Sequence, residues 1–168
     1  MNERYDGDPH ILGWSQKFDT RYINTENAHK LPKRDLLFVK PYTEIKFPDV
    51  LSRSLFMVTN KVFDVIKLYE PTVYSKQVIL LDGEHSKSET YHLPILKYLD
   101  CLHSDTVWKP GTKHFNRLVL DKAKLGNTAI FRPMGASHTI AIIRLDVAES
   151  ILRRDAKGIG LVPVEIKE

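Results

Sequence analysis

The chain has 168 residues, 42% of them hydrophobic and 10% aromatic, enough for one domain with a sizeable core. No apolar run approaches the roughly 18 residues that a membrane-spanning helix needs, and the polar opening MNERYDGDPH does not read as a signal peptide. A lone cysteine, Cys101, excludes an internal disulfide, so a cytoplasmic protein is the simplest reading, and the formal charge of +4 permits a nucleic-acid partner without demanding one.

Residues 1–44 read as an N-terminal arm with one candidate strand, and residues 45–168 as the α+β domain on which it packs. Trp14, Phe18 and Tyr22 fall at i, i+4 and i+8, a spacing that fits a short helix or a set of aromatics pinning an irregular arm to a core. Pro32 and the pair Lys33–Arg34 end the arm. Leu36–Val39, closed by Pro41, and Glu44–Phe47, closed by Pro48, read as strands.

The next stretch recurs. Ser52–Leu81 and Ser137–Ile166, set 85 positions apart, align without a gap. Val58 falls on Ile143, Val62 on Val147, Ile66 on Ile151, Ile79 on Val164 and Leu81 on Ile166. Each copy predicts strand, helix, strand. Leu55–Val58 and Ile140–Ile143 are the first strands. Val62, Ile66 and Tyr69, then Val147, Ala148, Ile151 and Leu152, form the helical stripes. Thr59 or Asn60 would cap the first helix and Asp146 the second, with Pro71 and Gly158 as stops. Val78–Leu81 and Leu161–Ile166 close the copies, and Pro163 marks the last strand as an edge or a bulge.

Between the copies, Asp82–Ser88 predicts an exposed turn. Tyr91–Cys101 fits neither period, and Pro94 argues against a central strand there. Pro110–Gly111 marks another turn. Arg117–Leu120 and Ala129–Arg132 read as a hairpin joined by DKAKLGNT, with Gly126–Asn127 supplying positive φ. Charge is uneven along this region. Residues 81–105 carry five acids against two lysines, and residues 106–135 carry six cations against Asp121 alone. Adjacent segments of opposite sign fit a polar partner surface or two solvated faces.

The chemical search is short. Seven histidines form no His-Glu-x-x-His and no close pair, and there is no Cys-x-x-Cys, so no metal site and no cofactor site is read. His85 beside Asp82 and Glu84 reads as a solvated polar loop. Cys101 and His103 would share one face of a strand, with Asp100 or Asp105 close by. A buried thiol packed as a small hydrophobe is the simpler reading, and no catalytic residue is assigned. Gly158-Ile159-Gly160 lacks the third glycine of a dinucleotide fingerprint and follows a helix. Trp108, Phe115 and Phe131 stand among the cations of residues 106–135, a combination that single-strand nucleic-acid grooves use, so a nucleic-acid-binding module is the alternative reading.

The order of LFMVTNKVFDVIKLYEP, YHLPILKYLDCL, RLVLDKAKLGNTAIFR and GIGLVPVEI resembles a family of small bacterial immunity proteins found beside polymorphic, contact-delivered toxins. The resemblance covers about residues 45–168 and rests on apolar patterning with Asp100–Cys101, Asp121 and Phe131–Arg132. It departs from the family at Arg144–Leu145, where relatives tend to have Ser. It implies a non-catalytic protein that binds and neutralises a cognate protein toxin. The matched residues read as structural, with Arg132 bonded to Asp100 or Asp121. Specificity is expected in exposed loops. The toxin-binding candidates are Asp82, Glu84, His85, Glu89, Asp105, Trp108 and Lys109. The fold expected is a single α+β domain with two strand-helix-strand units around a mixed sheet.

Overall fold

The computed structural model describes residues 8–42 and 44–168. The first seven residues of the arm, with most of the opening decapeptide, lie outside the described part. The arm contains a single helical turn, α1 (Trp14–Lys17), then two 3-10 turns, Thr20–Tyr22 and Ala28–Lys30. Asp19 ends the helical run by accepting the Arg21 N–H, which starts the next turn. The aromatic spacing therefore yields one helical turn and not a longer helix. Its packing role stands: Phe18, Ile23, Ala28 and Leu31 are buried, and Trp14 and Tyr22 pack against the same cluster.

β1 (Arg34–Phe38) follows, then β2 (Val50–Leu51), β3 (Met57–Thr59), α2 (Asn60–Tyr69), β4 (Ser75–Asp82) and β5 (Lys87–Pro94). They form a mixed five-stranded sheet in the order β1-β4-β5-β3-β2, parallel between β1 and β4 and antiparallel elsewhere. Glu44–Phe47 joins no strand; pairing begins at Val50. β5 is the central strand, against the expectation from Pro94. The ladder with β3 stops at His92, and Pro94 is the last residue paired with β4, so its missing N–H falls at a strand end.

Side chains alternate across this sheet. Val78, Leu80, Tyr91 and Leu93 join the arm's residues in one core. Val58 faces the opposite side, under Val62, Val65 and Ile66 of α2. Each such aliphatic side chain contributes about 1.5–3 kcal/mol by leaving water.

The rest of the chain builds smaller sheets: β6 (Tyr98–Leu99), β7 (Val107–Trp108), β8 (Phe115–Arg117), β9 (Val119–Asp121), α3 (Lys122–Leu125), β10 (Ile130–Pro133), β11 (Ile142–Ile143), α4 (Leu145–Leu152) and β12 (Glu165–Lys167). β10 lies between β6 and β11, β12 pairs with β9 in parallel, and β7 and β8 form a hairpin around Pro110–Gly111. The hairpin expected between residues 117–120 and 129–132 does not form. Asp121 instead accepts the Ala123 N–H and caps the single turn of α3, and β9 and β10 take different partners. Gly126 has positive φ, as the turn signal implied.

The strand-helix-strand order occurs twice, but the pairing differs. β3 and β4 flank β5 in one sheet, whereas β11 and β12 belong to separate sheets. α2 and α4 share one core through Val62, Val65, Ile66, Val147 and Ile151. The Tyr69 hydroxyl also donates to the Asp146 carbonyl at 3.2 Å.

The expected caps are not the observed ones. Thr59 stands at the N-cap of α2, but its hydroxyl donates to Asp49 at 2.6 Å, and Asn60 accepts from His92. α4 starts at Leu145, so Asp146 lies in its first turn, ion-paired with Arg144. The last stretch is a strand only over residues 165–167. Asp155, at φ 54°, turns the chain after α4. Gly158, at φ 71°, lies against Pro48, whose Cβ would stand 2.2 Å from an added Cβ.

Candidate functional site

The candidate residues fall into two places. Strand alternation on β4 turns Lys76, Val78, Leu80 and Asp82 to the buried face. Asp82 is thus an internal residue and not a contact residue. Its carboxylate accepts from the backbone N–H groups of Glu84 and His85 at 3.1 and 3.2 Å, and from His85 Nδ1 at 2.8 Å. Burial alone would raise this carboxyl, but the bonds from His85 and Glu84 hold it below its ordinary range. The result is a fixed tip on the hairpin of the two longest strands, with Glu84, His85 and Glu89 exposed.

Asp105, Trp108 and Lys109 belong to the part of the chain beyond Pro94. The β4–β5 ladder is eight residues long, so the tip stands about 25 Å from the Pro94 end at roughly 3.3 Å per residue. Asp105 is engaged inside the molecule, ion-paired with Lys167 and 3.8 Å from His103. Trp108 packs on Phe115, ring centroids 4.3 Å apart, and lies over Gly135. Lys109 is exposed on the same hairpin. None of the described hydrogen bonds, ion pairs or ring contacts joins these residues to Glu84, His85 or Glu89.

The basic stretch also changes character in three dimensions. Arg117 pairs with Glu165, Lys122 with Glu168 and Lys124 with Asp121. Arg132 is fully buried. Lys109, Lys113 and the buried Arg132 are the cations of this stretch that form no ion pair among the described residues. A continuous track for a phosphate backbone is not what these side chains present.

Arg132 does not meet Asp100 or Asp121. Its Nε donates to the Ile140 carbonyl at 3.1 Å, and the Tyr98 ring lies 6.0 Å from its guanidinium carbon. Nη1 and Nη2 are buried without a hydrogen-bond partner. Burial pulls its pKa down, opposed by Tyr98. A cavity of about 740 Å³ is lined by Phe56, Val58, Ile130, Ile143 and Ile151, by polar residues that include His114, Asn116, Arg117 and Thr139, and by residues 159–165; Arg132 is not part of its lining.

Comparison with protein-family models, curated proteins and solved structures finds no match.

The chemistry of the remaining groups is restrained. Cys101 is buried, and burial first, with Asp100 second, pushes its thiol up to about 11. That disfavours the thiolate a nucleophile needs. His92 is held in the core: the Ser75 hydroxyl donates to Nδ1 at 2.7 Å, Nε2–H donates to Asn60, and Phe63 stacks on the ring at 4.3 Å. Among the described residues no group of three His, Cys, Asp or Glu is placed to hold a metal ion, and no helix is long and apolar enough to cross a membrane. The burial of Asp82 was legible in the alternation of Lys76, Val78, Leu80 and Asp82. The isolation of Arg132 was not, because its surroundings come from β6, β10 and the segment before β11.

Proposed function

We propose that this chain is a non-catalytic immunity protein of the cytoplasm that neutralises a cognate protein toxin by direct binding through the β4–β5 hairpin tip. The observation that carries the reading is the tip itself. Glu84 and His85 are exposed on a turn whose backbone is held from inside by the buried Asp82, and Glu89 is exposed beside it at the start of β5. A tip already fixed in its bound shape loses little conformational entropy on association, which leaves more of the contact energy for affinity. Its two exposed carboxylates, Glu84 and Glu89, outnumber the one lysine there, Lys87, and leave a small local excess of negative charge that a basic toxin face would meet. The resemblance in the apolar pattern of residues 45–168 to immunity proteins supports the same reading.

The test is neutralisation. The chain is co-expressed with the toxin domain encoded beside it, and growth is measured. Wild type is expected to restore growth, and Glu84→Lys with Glu89→Lys to lose at least tenfold in affinity, about 1.4 kcal/mol. Restored growth by the double variant at unchanged affinity would move the interface elsewhere.

A further inference from the structure

The small sheet of β9 and β12 ends in an open edge. On its far side β9 meets residues 101–103: the His103 N–H donates to the Val119 carbonyl at 3.0 Å, and the Asp121 N–H to the Cys101 carbonyl at 2.8 Å. Backbone groups alternate in direction along a strand, so Leu120 turns its N–H and C=O toward β12. β12 runs parallel to β9 with Ile166 opposite Leu120. In a parallel ladder the residue directly opposite faces away, so Glu165 and Lys167 bond to β9 while Ile166 turns its N–H and C=O outward. Among the described residues no hydrogen bond reaches either group.

This edge differs from that of the large sheet. On β1 the Leu36 N–H is taken by the Asp35 carboxylate, the Leu36 carbonyl by Lys17 Nζ, and the Phe38 carbonyl by the Leu12 N–H. Such cover is how a sheet edge is kept from pairing with another chain. β12 has none of it, and it carries apolar side chains instead: Ile166 is 53% exposed, with Leu161 and Val162 exposed on the chain leading into it.

The residues of β12 say which strand fits there. Glu165-Ile166-Lys167 is complementary to itself when reversed. A twofold axis through Ile166 would set two copies antiparallel, with the two Ile166 residues exchanging both N–H···O bonds and Glu165 of each copy opposite Lys167 of the other. Moving the axis by one residue would oppose Glu165 to Glu165 or Lys167 to Lys167, so charge selects the register. The flanking ion pairs alternate in the same sense, Arg117 on Glu165 and Asp105 on Lys167.

We propose that β12 is a self-association edge, through which two copies of this chain pair antiparallel over residues 164–168 and join their small sheets into one. A contact of this length is smaller than a standard interface, so the dimer is weak, with a Kd on the order of 100 μM. The proposal does not depend on the toxin-binding reading.

The test is sedimentation equilibrium of the full chain up to about 1 mM, about tenfold above that Kd. The mass of wild type is expected to rise with concentration from that of one chain toward that of two. Glu165→Lys and Lys167→Glu should each weaken self-association at least tenfold, because each opposes like charges. An equimolar mixture of the two variants should dimerise again, since every lysine then meets a glutamate, a rescue that mere loss of the Arg117 or Asp105 ion pair would not give. Should either variant not fold, amide exchange at Ile166 in wild type reads the same edge and should slow as concentration rises. A wild-type chain that stays monomeric throughout would overturn the proposal. So would a dimer that both single variants leave intact, a mixture no stronger than its components, or exchange at Ile166 that ignores concentration.

Discussion

Asp49 shows how one buried carboxylate joins distant segments. Its oxygens accept from the Thr59 hydroxyl at 2.6 Å, the Lys157 N–H at 2.7 Å and Lys61 Nζ at 3.2 Å. Its own N–H donates to the Lys157 carbonyl at 2.8 Å. The residue thereby ties the segment after α4 to β2 and β3. Burial would raise its pKa, but the bonds from Thr59, Lys157 and Lys61 outweigh that and hold it below the ordinary value. A depressed folded pKa means that the stabilisation is complete above the ordinary carboxylate range and is lost as pH falls through the folded value. Asp49→Ala should cost about 3 kcal/mol in urea unfolding near neutral pH, since it leaves buried donors unpaired. Asp49→Asn should flatten the fall in stability on the acid side; an unchanged acid profile would remove Asp49 as its source. Cys101 offers a second residue test. A thiol at about 11, against about 8.5 for a free one, lowers the thiolate fraction on the order of a hundredfold. Iodoacetamide should therefore label the folded chain slowly near pH 7 and the urea-unfolded chain rapidly. Fast labelling of the folded chain would reopen the cysteine-nucleophile reading.

At the scale of elements, the sequence was readable where one local pattern decided the outcome. The stripe Val62, Ile66 and Tyr69 lies on α2, and the turn expected over Asp82–Ser88 is present over residues 83–86, between the ends of β4 and β5. It was misread where a residue's meaning depended on its partners. Pro94 argued against a central strand, yet it terminates one because the β3 ladder ends two residues earlier. DKAKLGNT looked like a hairpin loop, but Asp121 followed by Lys-Ala-Lys-Leu is equally a capped helical turn, and tertiary pairing of β9 with β12 settled the choice. Gly158 read as a helix stop, while its actual constraint is the approach of Pro48 from over a hundred positions earlier. Two glycines separate conformation from contact. Gly111, at φ 70° with nothing near its absent Cβ, should lose about 1 kcal/mol as Ala. Gly158 adds the Pro48 clash to a similar φ, so Gly158→Ala should cost about 3 kcal/mol. Equal losses in denaturant titrations would mean that the Pro48 contact yields without cost.

For the whole molecule, the α+β class and the mixed sheet followed from alternating strand and helix periods. The symmetry of the two strand-helix-strand units did not carry into the pairing. β5 enters between β3 and β4, whereas β11 and β12 join β10 and β9. The candidate surface was half legible. Glu84 and His85 lie on the turn and Glu89 beside it on β5, but none of the described hydrogen bonds, ion pairs or ring contacts joins them to Asp105, Trp108 or Lys109. Local charge counting could not reveal that Asp82 is buried or that Asp105 is paired with Lys167, because both follow from strand pairing. The central claim is that the acidic tip captures a protein toxin. Its most direct test is calorimetric titration of the purified chain with the toxin domain encoded beside it, comparing wild type, the Glu84→Lys, Glu89→Lys double variant, and Lys109→Glu on the far hairpin. A tight complex that weakens at least tenfold in the tip variant and is unchanged by Lys109→Glu is the predicted result. A folded wild-type chain that forms no complex, or a loss confined to Lys109→Glu, would contradict it.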